Sequence, residues 1–285
     1  MKKNVLITGT STGVGLESAI LFAQNGYQVY ATMRNLDKAT ELKERAGDLP
    51  IEILPLDVTS LESIEAAVKT VLDKDGKIDV LVNNAGAGFA KTLEQTSQQE
   101  IDWVTDVNYT GVVRCVKAVL PAMRERKAGH IINITSVGGL VGQPFNELYC
   151  GAKFAVEGFT EAMASYVGKA FGIRFSLVEP GGIATAFMNN AISKTVNESG
   201  EFATGEYAGI FQQYMSGAQQ RAEGSGTTYQ TGAEVAQVIL DVANAEQAPL
   251  RVRTSEWAEN FCQVKTASDP DGNKLLKEVQ DYFFA

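Results

Sequence analysis

Residues 4–15 read NVLITGTSTGVG, a short β-branched run that leads into a turn containing Gly9, Gly13 and Gly15. Apolar residues at helical spacing follow over residues 14–25, so this turn joins a first strand to a first helix. Glycines at such a junction let the backbone approach a pyrophosphate group, whose charge is met by the helix N-terminus. The spacing is G-x-x-x-G-x-G, so the turn alone is a modest nucleotide signal, and its place in an alternating chain strengthens it.

The rest of the chain continues this alternation of strand-like and helix-like segments. Further strand-like runs are predicted at 28–33, 51–58, 78–86, 130–136, 173–182 and 249–253. Capping boxes predict helix starts at Thr59 with Glu62, Ser97 with Glu100, and Thr231 with Glu234. Two helices are predicted to be long, at about 97–127 and 146–171. Continuous apolar strands between amphipathic helices predict a Rossmann-type, doubly wound α/β fold, with a mostly parallel seven-stranded sheet covered on both faces.

Composition narrows the class of protein. The chain has 285 residues, of which 45% are hydrophobic, and this favours one large domain over residues 1–285. Its net charge of −9 argues against binding to nucleic acid or an anionic membrane surface, and no apolar run approaches the roughly 20 residues of a membrane span. The three cysteines are far apart and the single histidine, His130, is expected at the surface. We therefore expect a reduced, cytoplasmic protein without a metal site.

Residues 184–230 break the alternation. They are rich in Ala, Asn, Ser, Thr and Gly, with aromatic residues interspersed. A long insertion in a compact domain is often a functional lid, although an oligomer contact or plain helix packing is nearly as compatible with these aromatics. We predict a lid over the substrate. The candidate substrate contacts, which could equally be core residues, are Phe89, Leu140, Phe145, Phe187, Phe202 and Phe211.

The end of the second strand bears on the choice of nucleotide. An enzyme that uses NAD usually places an acidic residue there to bind the ribose 2′-hydroxyl. Met33 stands at that position here, and Arg34 follows it. A guanidinium group can pair with a 2′-phosphate through two hydrogen bonds, so the sequence favours NADP, with NAD possible. The alternative is an ordinary exposed arginine at a strand end.

Six features in order along the chain carry a family resemblance. They are TGTSTGVG at 8–15, NNAG at 83–86, Asn108, Ser136, YCGAK at 149–153 and PGGIAT at 180–185. Together they resemble the short-chain dehydrogenase/reductases from residue 4 to about residue 185. Gly151 and Ala152 depart from the Ala-Ser that often stands in the YCGAK motif. The tail from PLRVRTSEWAENF to residue 285 looks like the branch that contains hydroxysteroid and retinoid dehydrogenases.

The resemblance implies a role for each matched residue. Tyr149 would be the general acid/base, and Ser136 would hydrogen-bond the same substrate oxygen. Lys153 would hold the nicotinamide ribose and favour the tyrosinate, and Asn108 would position a water molecule that links Lys153 to solvent. The cofactor site expected from the resemblance comprises Gly9, Ser11, Thr12, Gly13, Val14, Gly15, Asp57, Val58, Asn83, Ala85, Gly86, Tyr149, Lys153, Pro180, Gly181, Ile183 and Thr185. Arg34, proposed above for the 2′-phosphate, completes this site.

Elementary chemistry of the YCGAK motif agrees with this assignment. Tyr149 and Lys153 are four residues apart, so they share one face of a helix. A neighbouring ammonium group, together with the positive nicotinamide ring of the oxidised cofactor, is expected to stabilise the phenolate and lower the tyrosine pKa. Cys150 points about 100° away from Tyr149 on such a helix, and we expect it to be a small packing residue.

The predicted function is an NAD(P)(H)-dependent oxidoreductase, preferring NADP, that interconverts a ketone or aldehyde with an alcohol. The substrate is expected to be a small apolar or aromatic molecule, and the family resemblance implies a homodimer or homotetramer formed through the two long helices. One alternative is a 3-oxoacyl-thioester reductase, which would need basic residues at the entrance of its active site to bind an acidic acyl carrier protein. A non-catalytic nucleotide-binding regulator is disfavoured because Ser136, Tyr149 and Lys153 are all present.

Overall fold

The computed structural model describes residues 2–184, 205–214, 216 and 229–284. Its core is a seven-stranded sheet with the order β3-β2-β1-β4-β5-β6-β7, in which every neighbouring pair is parallel. The strands are β1 (Asn4–Thr8), β2 (Gln28–Met33), β3 (Ile51–Pro55), β4 (Val80–Asn83), β5 (Gly129–Ile134), β6 (Ile173–Glu179) and β7 (Arg251–Arg253). The predicted fold class is confirmed.

Helices cover both faces of the sheet, and two apolar clusters pack between the sheet and the helices. The helices are α1 (Gly13–Gln24), α2 (Thr40–Ala46), α3 (Leu61–Asp75), α4 (Gln98–Thr105), α5 (Gly111–Arg126), α6 (Glu147–Met163), α7 (Lys169–Phe171), α8 (Gly232–Asn244), α9 (Glu256–Thr266) and α10 (Asn273–Phe284). A further helical stretch occupies 208–214. Within the described ranges, none of these helices combines the length and apolar character that crossing a membrane requires.

Both predicted long helices contain a π-helical turn. Asp106–Thr110 separates α4 from α5, and Ala164–Gly168 separates α6 from α7. A π turn leaves a backbone carbonyl without its usual α-helical partner and often marks a functional position. Here the first π turn contains Asn108, one of the predicted site residues.

The predicted helix starts are confirmed at two of three positions. Ser97 and Thr231 each form a complete capping box with the glutamate three residues later. The predicted start at Thr59 is wrong, because Ser60 caps α3 and accepts a hydrogen bond from the Ser63 amide. The Thr59 hydroxyl instead donates to Asp57 Oδ1 at 2.8 Å.

The expectation that His130 lies at the surface is wrong. This residue lies on β5, between β4 and β6, and its side chain is completely buried. Its Nε2 lies 3.0 Å from Ser176 Oγ, and burial lowers the pKa of the imidazole to about 3. Gly129 precedes His130 but does not mark an exposed strand. Strand β5 lies between β4 and β6, and helices cover both faces of the sheet.

Residues 184–230, predicted to be a lid, lie largely outside the described part of the chain. The described portion includes the stretch 205–214, which contacts the rest of the protein through Tyr207 and Phe211. The lid assignment and the single-domain assignment therefore stay predictions.

Candidate active site

The carboxyl ends of the central strands form one edge of the sheet. The chain runs from β1 outward to β2 and β3, then returns to place β4 on the other side of β1. Ligands of open α/β sheets bind at such a reversal of strand order. The glycine turn after β1 and the NNAG segment after β4 meet there.

The glycine turn is shaped for close backbone approach. Gly9 and Gly13 have φ angles of +74° and +59°, which residues other than glycine rarely adopt. A Cβ atom on Gly15 would lie 2.2 Å from the Gly9 carbonyl oxygen and 2.4 Å from Asn84 Nδ2. The Asn84 amide also donates to the carbonyl oxygens of Thr8 and Gly9, at 2.9 and 3.0 Å. These contacts hold the turn at the N-terminus of α1, where an anionic phosphate is favoured.

Other predicted cofactor residues border the same edge. Asn83 is buried and donates to Asn133 Oδ1 at 2.8 Å, but none of the described residues donates to its own Oδ1. An orphaned buried acceptor beside a ligand edge is the kind of group that a bound molecule satisfies. Asp57 accepts from the Thr59 amide at 2.9 Å, and Arg34 is exposed just beyond β2. The residues present therefore fit a dinucleotide.

The remaining predicted cofactor residues follow the turn and the strand ends. Gly86 has the Lys153 ammonium close by, because a Cβ atom placed on it would lie 3.7 Å from Lys153 Nζ. Thr185 lies outside the described residues. The others are Ser11 and Thr12 in the first turn, Val14 in α1, Val58 after β3, Ala85 after β4, and Pro180, Gly181 and Ile183 after β6.

The π turn places Asn108 in the site. Its Oδ1 accepts from the Ala87 amide, and its Nδ2 donates to the carbonyl oxygens of Ala87 and Val104, each at 3.0 Å. Because Val104 is four residues earlier, the side chain binds a carbonyl at the irregular turn. Asn108 is completely buried and anchors the segment that contains Gly86.

The three other predicted catalytic residues come together at the ends of β5 and α6. Ser136 follows β5, and its hydroxyl is hydrogen-bonded to Tyr149 on α6. Lys153, one turn further along α6, is buried and donates to the Ile134 carbonyl at 2.8 Å. Its Nζ lies 5.7 Å from the centre of the Tyr149 ring. The structure therefore brings a phenol, a hydroxyl and an ammonium group to one point.

Burial dominates the protonation of this cluster in the protein without cofactor. Desolvation raises the pKa of Tyr149 to about 12, although the hydrogen bond from Ser136 opposes the change. Desolvation also lowers the pKa of Lys153 to about 8. Tyr149 is therefore a neutral proton donor near pH 7, and the expected lowering of its pKa with the oxidised cofactor bound stays a prediction.

Cys150 lies between Tyr149 and Lys153 in sequence, and its side chain lies beside the turn that follows Ser136. It is buried, and burial raises the pKa of its thiol, which disfavours the reactive thiolate. A Cβ atom on Gly138 would approach Cys150 Sγ to 3.3 Å, so the thiol packs beneath the turn that follows Ser136. The expectation that Cys150 is a packing residue agrees with this burial.

We predict that Cys150→Ala leaves kcat within about threefold of wild type, because a buried neutral thiol contributes packing. The melting temperature should fall slightly, since a small cavity forms. Steady-state kinetics and thermal unfolding measure the two effects. A loss of turnover in a variant that melts like wild type would show that the thiol acts in the reaction.

Two of the predicted substrate contacts, Phe145 and Phe211, pack together near the start of α6. Phe145 packs against Phe211 and Tyr214, with ring centres 4.9 and 5.1 Å apart. Phe145 also has a φ angle of +61°, an uncommon conformation for a bulky residue, just before α6. Phe89 is buried and Leu140 is partly buried. Phe187 and Phe202, the other predicted contacts, lie outside the described residues.

Two contacts near the site have no clear sequence signal. Gly181 lies against the Trp257 ring, since a Cβ atom there would be 2.8 Å from it. Gly182 lies in the same way against the ring of Tyr229. Both aromatics come from distant parts of the chain, so only the fold reveals that they flank the PGG segment. Asn84, in contrast, belongs to the NNAG motif, but the motif alone does not predict that its side chain donates hydrogen bonds to the glycine turn.

The parallel sheet and its glycine turn define a dinucleotide-binding α/β protein. A family model described as short chain dehydrogenase matches residues 3–196. Retinol dehydrogenase 8 of Bos taurus is 38% identical over 282 residues, which cover 96% of this chain and 88% of the relative. The 17-beta-hydroxysteroid dehydrogenase type 1 of Homo sapiens is 38% identical over 290 residues, covering 98% and 85%.

A solved structure, ElxO with NADP bound, has a TM-score of 0.72 and 29% identity, covering 89% of this chain and 98% of that one. With the family match and the two relatives, this shows that the chain belongs to the short-chain dehydrogenase family of oxidoreductases. The resemblance to the hydroxysteroid and retinoid dehydrogenase branch is confirmed. A nicotinamide dinucleotide is the cofactor class that fits the site.

Proposed function

We propose that this protein interconverts a ketone or aldehyde with an alcohol, with Tyr149 as general acid/base. One observation carries the proposal. The Tyr149 hydroxyl is hydrogen-bonded to Ser136, while the buried Lys153 ammonium lies one helical turn away. A phenol, a hydroxyl and a cation at one point are the groups needed to bind and protonate a carbonyl oxygen.

The residues divide the work between binding the oxygen and moving its proton. The nicotinamide group, when bound, supplies or accepts the hydride. Ser136 donates a hydrogen bond to the substrate oxygen, and Tyr149 gives that oxygen its phenolic proton during reduction. The raised pKa of Tyr149 keeps the proton in place at neutral pH. The Lys153 ammonium offsets the negative charge that forms on the tyrosine oxygen.

Asn108 supports proton return to Tyr149. Its side-chain amide accepts from the Ala87 N–H through Oδ1 and donates to the Ala87 carbonyl through Nδ2, and this segment passes the Lys153 ammonium at Gly86. Because both residues are buried, a proton reaches Lys153 from solvent through ordered groups. We assign to Asn108 the positioning of a water molecule on that route.

The substrate class we propose is a small apolar or aromatic carbonyl compound or alcohol. The support is the cluster of Phe145, Phe211 and Tyr214 beside α6 and the similarity to a retinol and a hydroxysteroid dehydrogenase. Apolar and aromatic walls with a few polar groups are typical of such pockets. Ring-containing substrates suit these walls better than short polar ones do.

A substrate panel tests this assignment. Retinoid, steroid and simple aromatic carbonyls and alcohols would be assayed with NADPH, NADH and their oxidised forms, by the near-ultraviolet absorbance of the reduced nicotinamide. A 3-oxoacyl thioester belongs in the same panel, because preferred turnover of it would favour the thioester-reductase alternative. Absence of turnover with every member, while the cofactor still binds, would favour the non-catalytic regulator.

We propose a preference for NADP on the basis of Arg34. This residue is exposed immediately after β2, and the buried Met33 replaces the acidic group that binds a ribose hydroxyl in NAD enzymes. Arg34→Ala should weaken NADPH binding about tenfold or more and leave NADH binding nearly unchanged, since only NADPH carries the 2′-phosphate.

Fluorescence titration of both cofactors checks the Arg34 prediction. Arg45→Ala is the matched control, because Arg45 lies on α2 and pairs with Glu17 at 2.7 Å. The control should keep the wild-type ratio of NADPH to NADH affinity. An unchanged ratio in Arg34→Ala would refute the cofactor preference. Oligomeric assembly through the long helices and a cytoplasmic location stay predictions.

A further inference from the structure

Two buried carboxyl groups meet behind the catalytic cluster. Glu157 on α6 is 5% exposed and Glu179 at the end of β6 is 0% exposed, Arg251 Nε lies 3.8 and 4.0 Å from an oxygen of each, and each carboxyl group shifts the pKa of the other. Within the described part of the chain, both Glu157 oxygens and Glu179 Oε1 are buried and accept no hydrogen bond of standard geometry. The Thr135 hydroxyl, whose proximity lowers the pKa of Glu157, donates to the Val178 carbonyl at 3.3 Å. Two ionised carboxylates would repel each other there and leave these oxygens unsatisfied. One shared proton removes the repulsion and satisfies one oxygen of each carboxyl group.

The arginines of β7 indicate which carboxyl group holds the proton. Arg253 Nη1 lies 3.2 Å from Glu179 Oε2. Arg251 Nε lies between the two acids, 3.8 Å from Glu157 Oε2 and 4.0 Å from Glu179 Oε1. Glu179 therefore has the closer cationic neighbour, which favours its ionised form. Glu157 is left as the protonated member that can donate to Glu179 Oε1.

The position of this pair relates it to the site. Glu157 is four residues after Lys153, so it lies one turn further along the same helix. Glu179 comes directly before the Pro180–Gly182 segment. Gly139, in the turn after Ser136, also touches the pair, since a Cβ atom there would lie 3.1 Å from Glu157 Cγ. The pair thus contacts the three segments that carry the ammonium, the hydroxyl and the expected cofactor loop.

We propose that Glu157 is a positioning residue that stays protonated and donates a hydrogen bond to the Glu179 carboxylate, tying the Lys153 helix to the cofactor loop after β6. The bond itself is independent of the function proposed above. Its consequence, a cofactor loop held at the correct distance from α6, rests on that function.

The charged surroundings set the pH response of the pair. The titratable and charged groups that face it are Lys153 and Glu161 on α6, Arg251 and Arg253 on β7, and Glu259 and Cys262 on α9. Desolvation, with the charge of Glu179, raises the pKa of Glu157 well above its usual value, and desolvation raises that of Glu179 to about 7 against the effect of Arg253. A carboxyl group whose pKa is raised by folding stabilises the protein at a pH below its pKa in the unfolded chain, about 4.3. This contribution is lost as the pH rises through its pKa in the folded protein.

Infrared spectroscopy of the full-length protein tests the shared proton directly. Wild type at pH 8, above the pKa of about 7 of Glu179, should show the C=O stretch of a protonated, buried carboxyl group, and Glu157→Gln should lose it. Glu161→Gln is the control, because Glu161 also pairs with Arg251 but is partly exposed. It should keep the band. Absence of the band in wild type, or its survival in Glu157→Gln, overturns the proposal.

Stability and cofactor binding test whether the Glu157–Glu179 hydrogen bond connects α6 to the cofactor loop. Glu157→Gln keeps a neutral hydrogen-bond donor, so its melting temperature should gain on wild type as the pH rises from about 5 to 9. Glu157→Leu lacks the donor, and it should bind NADPH about five- to tenfold more weakly than Glu157→Gln at pH 7. Parallel pH–stability curves for wild type and Glu157→Gln, or equal NADPH affinity of the Gln and Leu variants, would contradict the tie. If wild type itself binds no nicotinamide nucleotide, the proposed function fails, while the infrared result still decides the shared proton.

Discussion

Replacing Tyr149 with phenylalanine is expected to lower kcat for carbonyl reduction by about 10²- to 10⁴-fold, the usual contribution of a positioned general acid. The variant loses only the hydroxyl that Ser136 contacts, and the ring remains beside Lys153. Cofactor affinity should therefore change by no more than about threefold, because the glycine turn and strand ends are untouched. Steady-state kinetics and fluorescence titration of NADPH separate the two effects.

Tyr166→Phe is the matched control for this experiment. Tyr166 lies in the second π turn, is 47% exposed, and directs its hydroxyl towards Met163. Its replacement should leave kcat within about twofold of wild type, as expected for a surface substitution. Reduction by Tyr149→Phe at more than about a tenth of the wild-type rate would mean that another group supplies the proton.

The second large effect is expected from Gly15→Ala. Its new Cβ atom would lie 2.2 Å from the Gly9 carbonyl oxygen, which is a backbone atom and cannot rotate away. The turn must open, so NADPH binding should fall by about 100-fold or more, and stability should drop by about 1–3 kcal/mol through overpacking. Fluorescence titration and denaturant unfolding measure these two changes.

Gly158→Ala provides the contrasting glycine. Gly158 lies within α6, and nothing would come within 4 Å of a Cβ atom added there. Alanine should stabilise the helix by about 0.5–1 kcal/mol and leave cofactor binding unchanged. Wild-type NADPH affinity in Gly15→Ala would show that this turn does not carry the pyrophosphate.

Local signals predicted much of the fold. The second strand was predicted at 28–33 and is observed at Gln28–Met33, and the Ser97 and Thr231 capping boxes are present. These features depend on hydrophobic periodicity or on side chains three residues apart, which can be read along the chain. The predicted start at Thr59 failed because the Thr59 hydroxyl donates to Asp57, while Ser60 caps the helix. This outcome depends on how the loop after β3 is placed.

The candidate site shows the same division. The order of the motifs and the four-residue spacing of Tyr149 and Lys153 placed the acid/base pair on one helical face without any structure. The register of β4 and β5, which brings Asn83 opposite Asn133, was not visible. The contact between Phe145 and Phe211 was not visible for the same reason, because these residues are 66 positions apart and meet only after the chain folds.

By itself, therefore, the sequence determined the fold class, the glycine turn and the pairing of Tyr149 with Lys153, because each depends on spacing within a short segment. Only the tertiary structure decided that His130 is buried, that Tyr149 remains a neutral phenol, and that Glu157 faces Glu179. The physical reason is desolvation. The ionisation of these groups depends on the water and charges that distant segments remove or supply when they pack.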